Sequence, residues 1–76
     1  MSEQEWLKIF SENLSELMKE QGYTQKELAF DSGLPEGSIS YYLRGLKMPT
    51  IKSALKLAHL FGVSLDDFID FGSDIH

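Results

Sequence analysis

Apolar residues along this chain recur every three or four positions instead of alternating, and glycines divide the pattern into blocks. In the first block, about residues 3–20, Trp6, Phe10, Leu14, Leu17 and Met18 form one stripe, with Glu12, Glu16, Lys19 and Glu20 off it. The second, 24–32, offers Leu28 and Ala29 as core candidates. The third, 35–43, sets Ile39 and Leu43 four apart, and the fourth, 50–61, places Ile51, Ala54, Leu55, Ala58 and Phe61 on one side. The fifth, 64–70, offers Leu65, Phe68 and Ile69, and residues 71–76 form a tail. Gly22, Gly33, Gly45, Gly62 and Gly72 stand where helices of this kind stop. Ser2 with Glu5, Thr24 with Glu27 and Ser64 with Asp67 fit capping boxes, and Thr50 after Pro49 is a further cap candidate. Nothing repeats. The pattern predicts one compact all-α domain of five short helices.

Composition narrows the possibilities. A chain of 76 residues makes one domain with a modest core. It has no cysteine, so disulfides and thiolate metal sites are excluded, a usage that suits the cytoplasm. No apolar run approaches the roughly 20 residues of a membrane span, and the acidic start lacks a signal peptide's basic and apolar regions. The net charge of −5 argues against a polyanionic partner, but its distribution argues the other way. Residues 1–36 carry a net of −5 and residues 66–76 a net of −4. Residues 37–65 hold Arg44, Lys47, Lys52 and Lys56 with no acid, a net of +4.

The block that borders this basic stretch carries the most information. Residues 22–49 read GYTQKELAFDSGLPEGSISYYLRGLKMP: two helices of about eight residues joined by a turn at Gly33. Glycine tolerates the left-handed backbone of such a turn. Ala29 lets the second helix approach, and Ile39 packs back under the first. A helix N-terminus has free N–H groups and a partial positive charge, so Thr24–Gln25 and Thr50 begin natural phosphate sites. Arg44 and Lys47 stand beside the second and neutralise phosphate without reading sequence. Lys52, Lys56 and His59 make an i, i+4, i+7 stripe that reads either as solvated surface or as a phosphate contact.

Thr24–Gln25, Glu27–Leu28–Ala29, Gly33–Leu34, Ser38–Ile39–Ser40, Gly45, Pro49 and Gly62–Val63–Ser64 occur in order at characteristic spacings. Over about residues 10–70 the chain resembles the helix-turn-helix family of phage Cro and cI repressors, also called the XRE family. The resemblance implies a five-helix, lambda-repressor-like domain that binds double-stranded DNA as a small regulator, its third helix in the major groove. It puts Glu36, Gly37, Ser38, Ser40 and Tyr41 at base-contacting positions, and Gln25, Arg44, Lys47 and Thr50 against phosphates; Thr24 and Lys52 join the second group.

Several residues depart from the family pattern. Glu36 repels phosphate, yet it matches cytosine N4 as an acceptor and favours a helix N-terminus. Gly37 weakens the helix that carries it by about 1 kcal/mol relative to alanine. Pro35 replaces the usual Ser or Thr cap while presetting the first helical angle. Tyr42 leans toward the core with Leu43, and Tyr41 toward solvent, where a phosphate, a base methyl or a protein are its possible partners. With two histidines, no cysteine and no Walker-type loop, neither a metal centre, a cofactor, a small-molecule site nor an enzyme's nucleophile–base pair is legible. The C-terminal segment is apolar for a chain end. Either Leu65 and Phe68 close the core and the rest frays, or Phe68, Ile69 and Phe71 form a homodimer interface, the reading preferred here. Trp6 reads as core or as a second contact. The competing functional class is a protein-interaction module on the same scaffold, motivated by the acidic charge and Glu36.

Overall fold

In the computed structural model, which describes residues 2–68, the chain forms α1 (Glu3–Gln21), α2 (Gln25–Ser32), α3 (Glu36–Leu43), α4 (Ile51–Phe61) and α5 (Leu65–Phe68). Ile69 and Phe71 lie outside the described residues. Ser2 and Thr24 each make both halves of a capping box, and Thr50 accepts from the Ser53 N–H at 3.1 Å. Thr24, Pro35 and Thr50 keep extended backbones, so each helix begins one residue after the position expected from the pattern. Pro35 is thus the residue before α3 (φ −62°, ψ 141°) and not its first helical residue. No described helix is long and apolar enough to cross a membrane.

α3 packs against both α1 and α2, α4 against α2 and α5, and α5 closes back on α1. The core takes Phe10, Leu14 and Met18 from α1, Leu28 and Ala29 from α2, Ile39 and Tyr42 from α3, Leu57, Ala58 and Phe61 from α4, and Phe68 from α5. Aromatic rings bind its layers together. Phe10 meets Tyr42 edge-on at 5.6 Å and Phe68 at 5.2 Å, while Phe61 meets Phe68 at 6.0 Å and Tyr23 at 5.9 Å. Such pairs add about 0.5–1.5 kcal/mol each beyond their burial. Two polar side chains of α1 donate to main-chain carbonyls of α5 and α4. Asn13 Nδ2 donates to the Phe68 carbonyl at 2.8 Å, and Gln21 Nε2 donates to the Phe61 carbonyl at 2.7 Å.

Two expectations are corrected here. The buried stripe of α4 is Ala54, Leu57, Ala58 and Phe61, whereas Ile51 and Leu55 are 74% and 48% exposed. The helix is rotated toward Leu57: the sets 51, 54, 55, 58 and 54, 57, 58, 61 share one i, i+3, i+4, i+7 spacing, and packing against the surrounding core selects the second. Phe68 does not face a partner: it is 1% exposed, held between Phe10 and Phe61, so it belongs to the core.

The rotation of α4 predicts opposite behaviour of two leucines. Leu57→Ala should cost about 2–5 kcal/mol in urea unfolding, as a fully buried leucine does. Leu55→Ala should cost under about 1 kcal/mol. Equal losses would mean that the helix presents a different face to the core.

Candidate nucleic-acid interface

The unit that presents the site is the α2–turn–α3 pair. At the start of α2, Thr24 Oγ1 accepts from the Glu27 N–H at 3.1 Å, and the Glu27 carboxylate accepts from the Thr24 N–H at 3.0 Å. These bonds hold the Glu27 carboxyl below its ordinary range, the Thr24 backbone contributing most and its hydroxyl next. Beside them, desolvation and then the Asp31 carboxylate push the Tyr23 phenol upward. At the far end Gly33 takes φ 74°, and its N–H donates to the Ala29 carbonyl at 3.0 Å. The Ser32 hydroxyl oxygen accepts from the Leu34 N–H at 3.2 Å. A side chain at Gly33 would be strained by its backbone angle, although space around it is open.

Burial of Ile39 and Tyr42 sets the rotation of α3. Because these two face inward, Glu36, Gly37 and Tyr41 face solvent, and Ser38 and Ser40 are half-buried along the edges. Gly37 is the one described glycine with an ordinary helical backbone, and a Cβ there would meet nothing within 4 Å. Neither backbone angle nor crowding inside the protein demands glycine at this position.

α3 ends in a turn that carries cations. Arg44 closes it with an N–H donated to the Ser40 carbonyl at 3.1 Å. Gly45 follows at φ 69°, and the Leu46 N–H returns to the Tyr41 carbonyl at 2.9 Å, the bond of a Schellman motif. The chain then runs through exposed Lys47 to Thr50, whose Oγ1 caps α4 and also donates to Ser53 Oγ at 3.1 Å. Lys52, Lys56 and His59 are exposed on α4.

The exposed set therefore includes Thr24, Gln25, Glu36, Gly37, Tyr41, Arg44, Lys47, Thr50 and Lys52 from the residues singled out in the sequence, with Ser38 and Ser40 less accessible. Arg44 stands at the end of the α3 face by direct hydrogen bonding. Lys8 carries no local signal in the sequence, since it lies in an acidic stretch. It shares a hollow with Arg44, a neighbour set by packing between distant parts of the chain. The partners of Asn13 and Gln21 are likewise distant in sequence. Among the described residues, no group of three or more His, Asp or Glu is placed to hold a metal ion.

Two helices joined at a left-handed glycine, the first held by a capping box and the second exposing one polar face, define a helix-turn-helix domain. The helix-turn-helix family model HTH_3 matches residues 14–68, and the chain belongs to that family. It is 35% identical over 57 residues to an uncharacterised HTH-type transcriptional regulator, y4dJ, of Sinorhizobium fredii, covering 75% of this chain and 74% of that protein. Its fold is similar to the restriction-modification controller protein C.AhdI of Aeromonas hydrophila (TM-score 0.77, 31% identity, 82% of this chain and 94% of that one). It is also similar to an SOS-response transcriptional repressor, LexA, of Eubacterium rectale (TM-score 0.82, 25% identity, 93% and 74% covered).

The capping box at α2 makes stability depend on pH. A carboxyl held low in the folded state stabilises fully above its unfolded value, and that contribution is lost as pH falls through the folded value. Between about pH 5 and pH 3, wild-type stability should fall more steeply than that of Glu27→Gln, which keeps the cap without the titration. Identical slopes in urea melts would remove Glu27 from that linkage.

Proposed function

We propose that this domain binds duplex DNA sequence-specifically as a small repressor-like transcriptional regulator, with α3 in the major groove. The observation that carries the reading is α3 itself. Ile39 and Tyr42 anchor it, while Glu36, Gly37 and Tyr41 face outward and Arg44 stands at its end. Family membership supports the same reading. In this arrangement Thr24, Gln25, Arg44, Lys47, Thr50 and Lys52 supply affinity through phosphates, and Glu36, Ser38, Ser40 and Tyr41 supply choice of sequence. Gly37 leaves the first turn of α3 bare, so the backbone can approach a base edge.

Self-association on a twofold DNA site is part of the proposal. With Phe68 in the core, an apolar surface suited to it among the described residues is Ile51 with Leu55, one turn apart on α4. Sedimentation should show Ile51→Asp shifted toward monomer relative to wild type. An unchanged mass would place self-association elsewhere.

A protein-interaction role has one observation in its favour: Phe30 on α2 is 86% exposed. The two readings separate in a fluorescence-anisotropy titration against random duplex at about 50 mM salt, where a phosphate-binding protein shows non-specific affinity. Arg44→Ala should weaken binding to all sequences and flatten the salt dependence. Ser40→Ala should change preference among sequences selected from a random pool, by about 1–3 kcal/mol at the affected base pair. Absence of any wild-type binding would favour the protein module.

A further inference from the structure

We infer that the hollow between the first half of α1 and the turn after α3 is a phosphoryl-anion site shared by Lys8 and Arg44. The hollow measures about 350 Å3 and is lined by Gln4, Leu7, Lys8, Ser11, Arg44 and Gly45. Gln4, Lys8 and Ser11 are spaced i, i+4 and i+7, so one face of α1 delivers all three. Two cations, a carboxamide and a hydroxyl give the hollow four side chains able to donate hydrogen bonds, and no carboxylate lines it. That is unexpected on a helix with Glu3, Glu5, Glu12, Glu16 and Glu20. Glu5, one turn before Lys8, has its carboxylate drawn to the Ser2 hydroxyl at 3.1 Å and the Ser2 N–H at 3.4 Å, toward the helix start. Gly45 forms part of the opposite wall, and a Cβ there would lie 4.0 Å from Ser11 Oγ.

Like charges that share a hollow repel, and an anion between them relieves the repulsion. A phosphodiester fits the donor set: the Arg44 guanidinium forks onto two oxygens while the Lys8 ammonium acts as a point charge. The source assigned here, the DNA backbone, rests on the function proposed above; the anion chemistry of the hollow does not. In this arrangement α1, remote in sequence from the recognition helix, adds a phosphate contact where α3 ends.

The test compares two lysines of one helix. Lys19 is exposed in the last turn of α1 and does not line the hollow, so Lys8→Ala and Lys19→Ala change net charge equally. In anisotropy titrations over a salt series, Lys8→Ala should lower the slope of log K against log salt by about 1 and weaken random and selected duplex alike. Lys19→Ala should keep the wild-type slope. Inorganic phosphate titrated into wild type should shift the Ser11 and Gly45 amide resonances, and Lys8→Ala should suppress those shifts. If wild type binds duplex but the two variants share one slope and phosphate moves neither amide, the inference is overturned. If wild type binds no duplex while phosphate still shifts both amides through Lys8, the hollow stands with a free phosphorylated ligand as its source, and the DNA reading fails separately. No response in either titration overturns both.

Discussion

The burial of one face of α3 is the constraint on which the rest depends. An eight-residue helix with a glycine in its first turn and no side-chain cap is not stable in water by itself. Ile39, fully enclosed, and Tyr42, edge-on to Phe10, supply what propensity lacks. Burying two such side chains contributes on the order of 1.5–3 kcal/mol each. That exceeds the cost of about 1 kcal/mol for Gly37. The same two contacts also determine direction. With Ile39 and Tyr42 inward, the helical period leaves Glu36, Gly37 and Tyr41 outward, so packing and presentation are one event.

Polar contacts then fix where the supporting elements begin and end. The Thr24–Glu27 capping box and the Gly33 turn delimit α2 within 3.2 Å hydrogen bonds, which leaves α3 little freedom to slide. At the other end, the return of the Leu46 N–H to Tyr41 brings Arg44 to the edge of the exposed face. Asn13 and Gln21 tie α1 to the last carbonyls of α5 and α4. Each bond alone is worth about 1 kcal/mol net, so these bonds act chiefly by fixing how α1 sits against α4 and α5.

Local signals were legible in the sequence, and those that depend on tertiary neighbours were not. Thr24, Gly33 and Thr50 announce themselves because caps and left-handed turns are decided within four residues. Ala29 and Ile39 are legible through their fixed distance from Gly33. The sequence does not decide the rotation of α4, because Ile51, Ala54, Leu55, Leu57, Ala58 and Phe61 offer two overlapping apolar faces, and only the shape of the surrounding core chooses between them. The burial of Phe68 is not legible either, because its partners Phe10 and Phe61 come from other helices. Most of the exposed candidate interface was legible because it follows from the phase of one helix. Lys8 was not, since its relation to Arg44 exists only after α1 and the α3–α4 turn have packed.

Charge distribution follows the same division. A net charge of −5 describes the chain as a whole, but a ligand meets a local field screened over about 10 Å at ordinary ionic strength. Arg44, Lys47, Lys52 and Lys56 are exposed with no acidic residue between them in sequence, whereas the described carboxylates are concentrated on α1, α2 and α5. Glu36 is the exception, a carboxylate on the face that Arg44 terminates. At the N-terminus of α3 it is favoured by the helix dipole, and toward a base edge it offers an acceptor that repels any phosphate brought too close. An acid there and cations at the other end give α3 a polarity along its axis. In the DNA-binding arrangement proposed above, phosphates would be held at the Arg44 end and kept from the Glu36 carboxylate, which would restrict the orientations in which the helix can enter a groove.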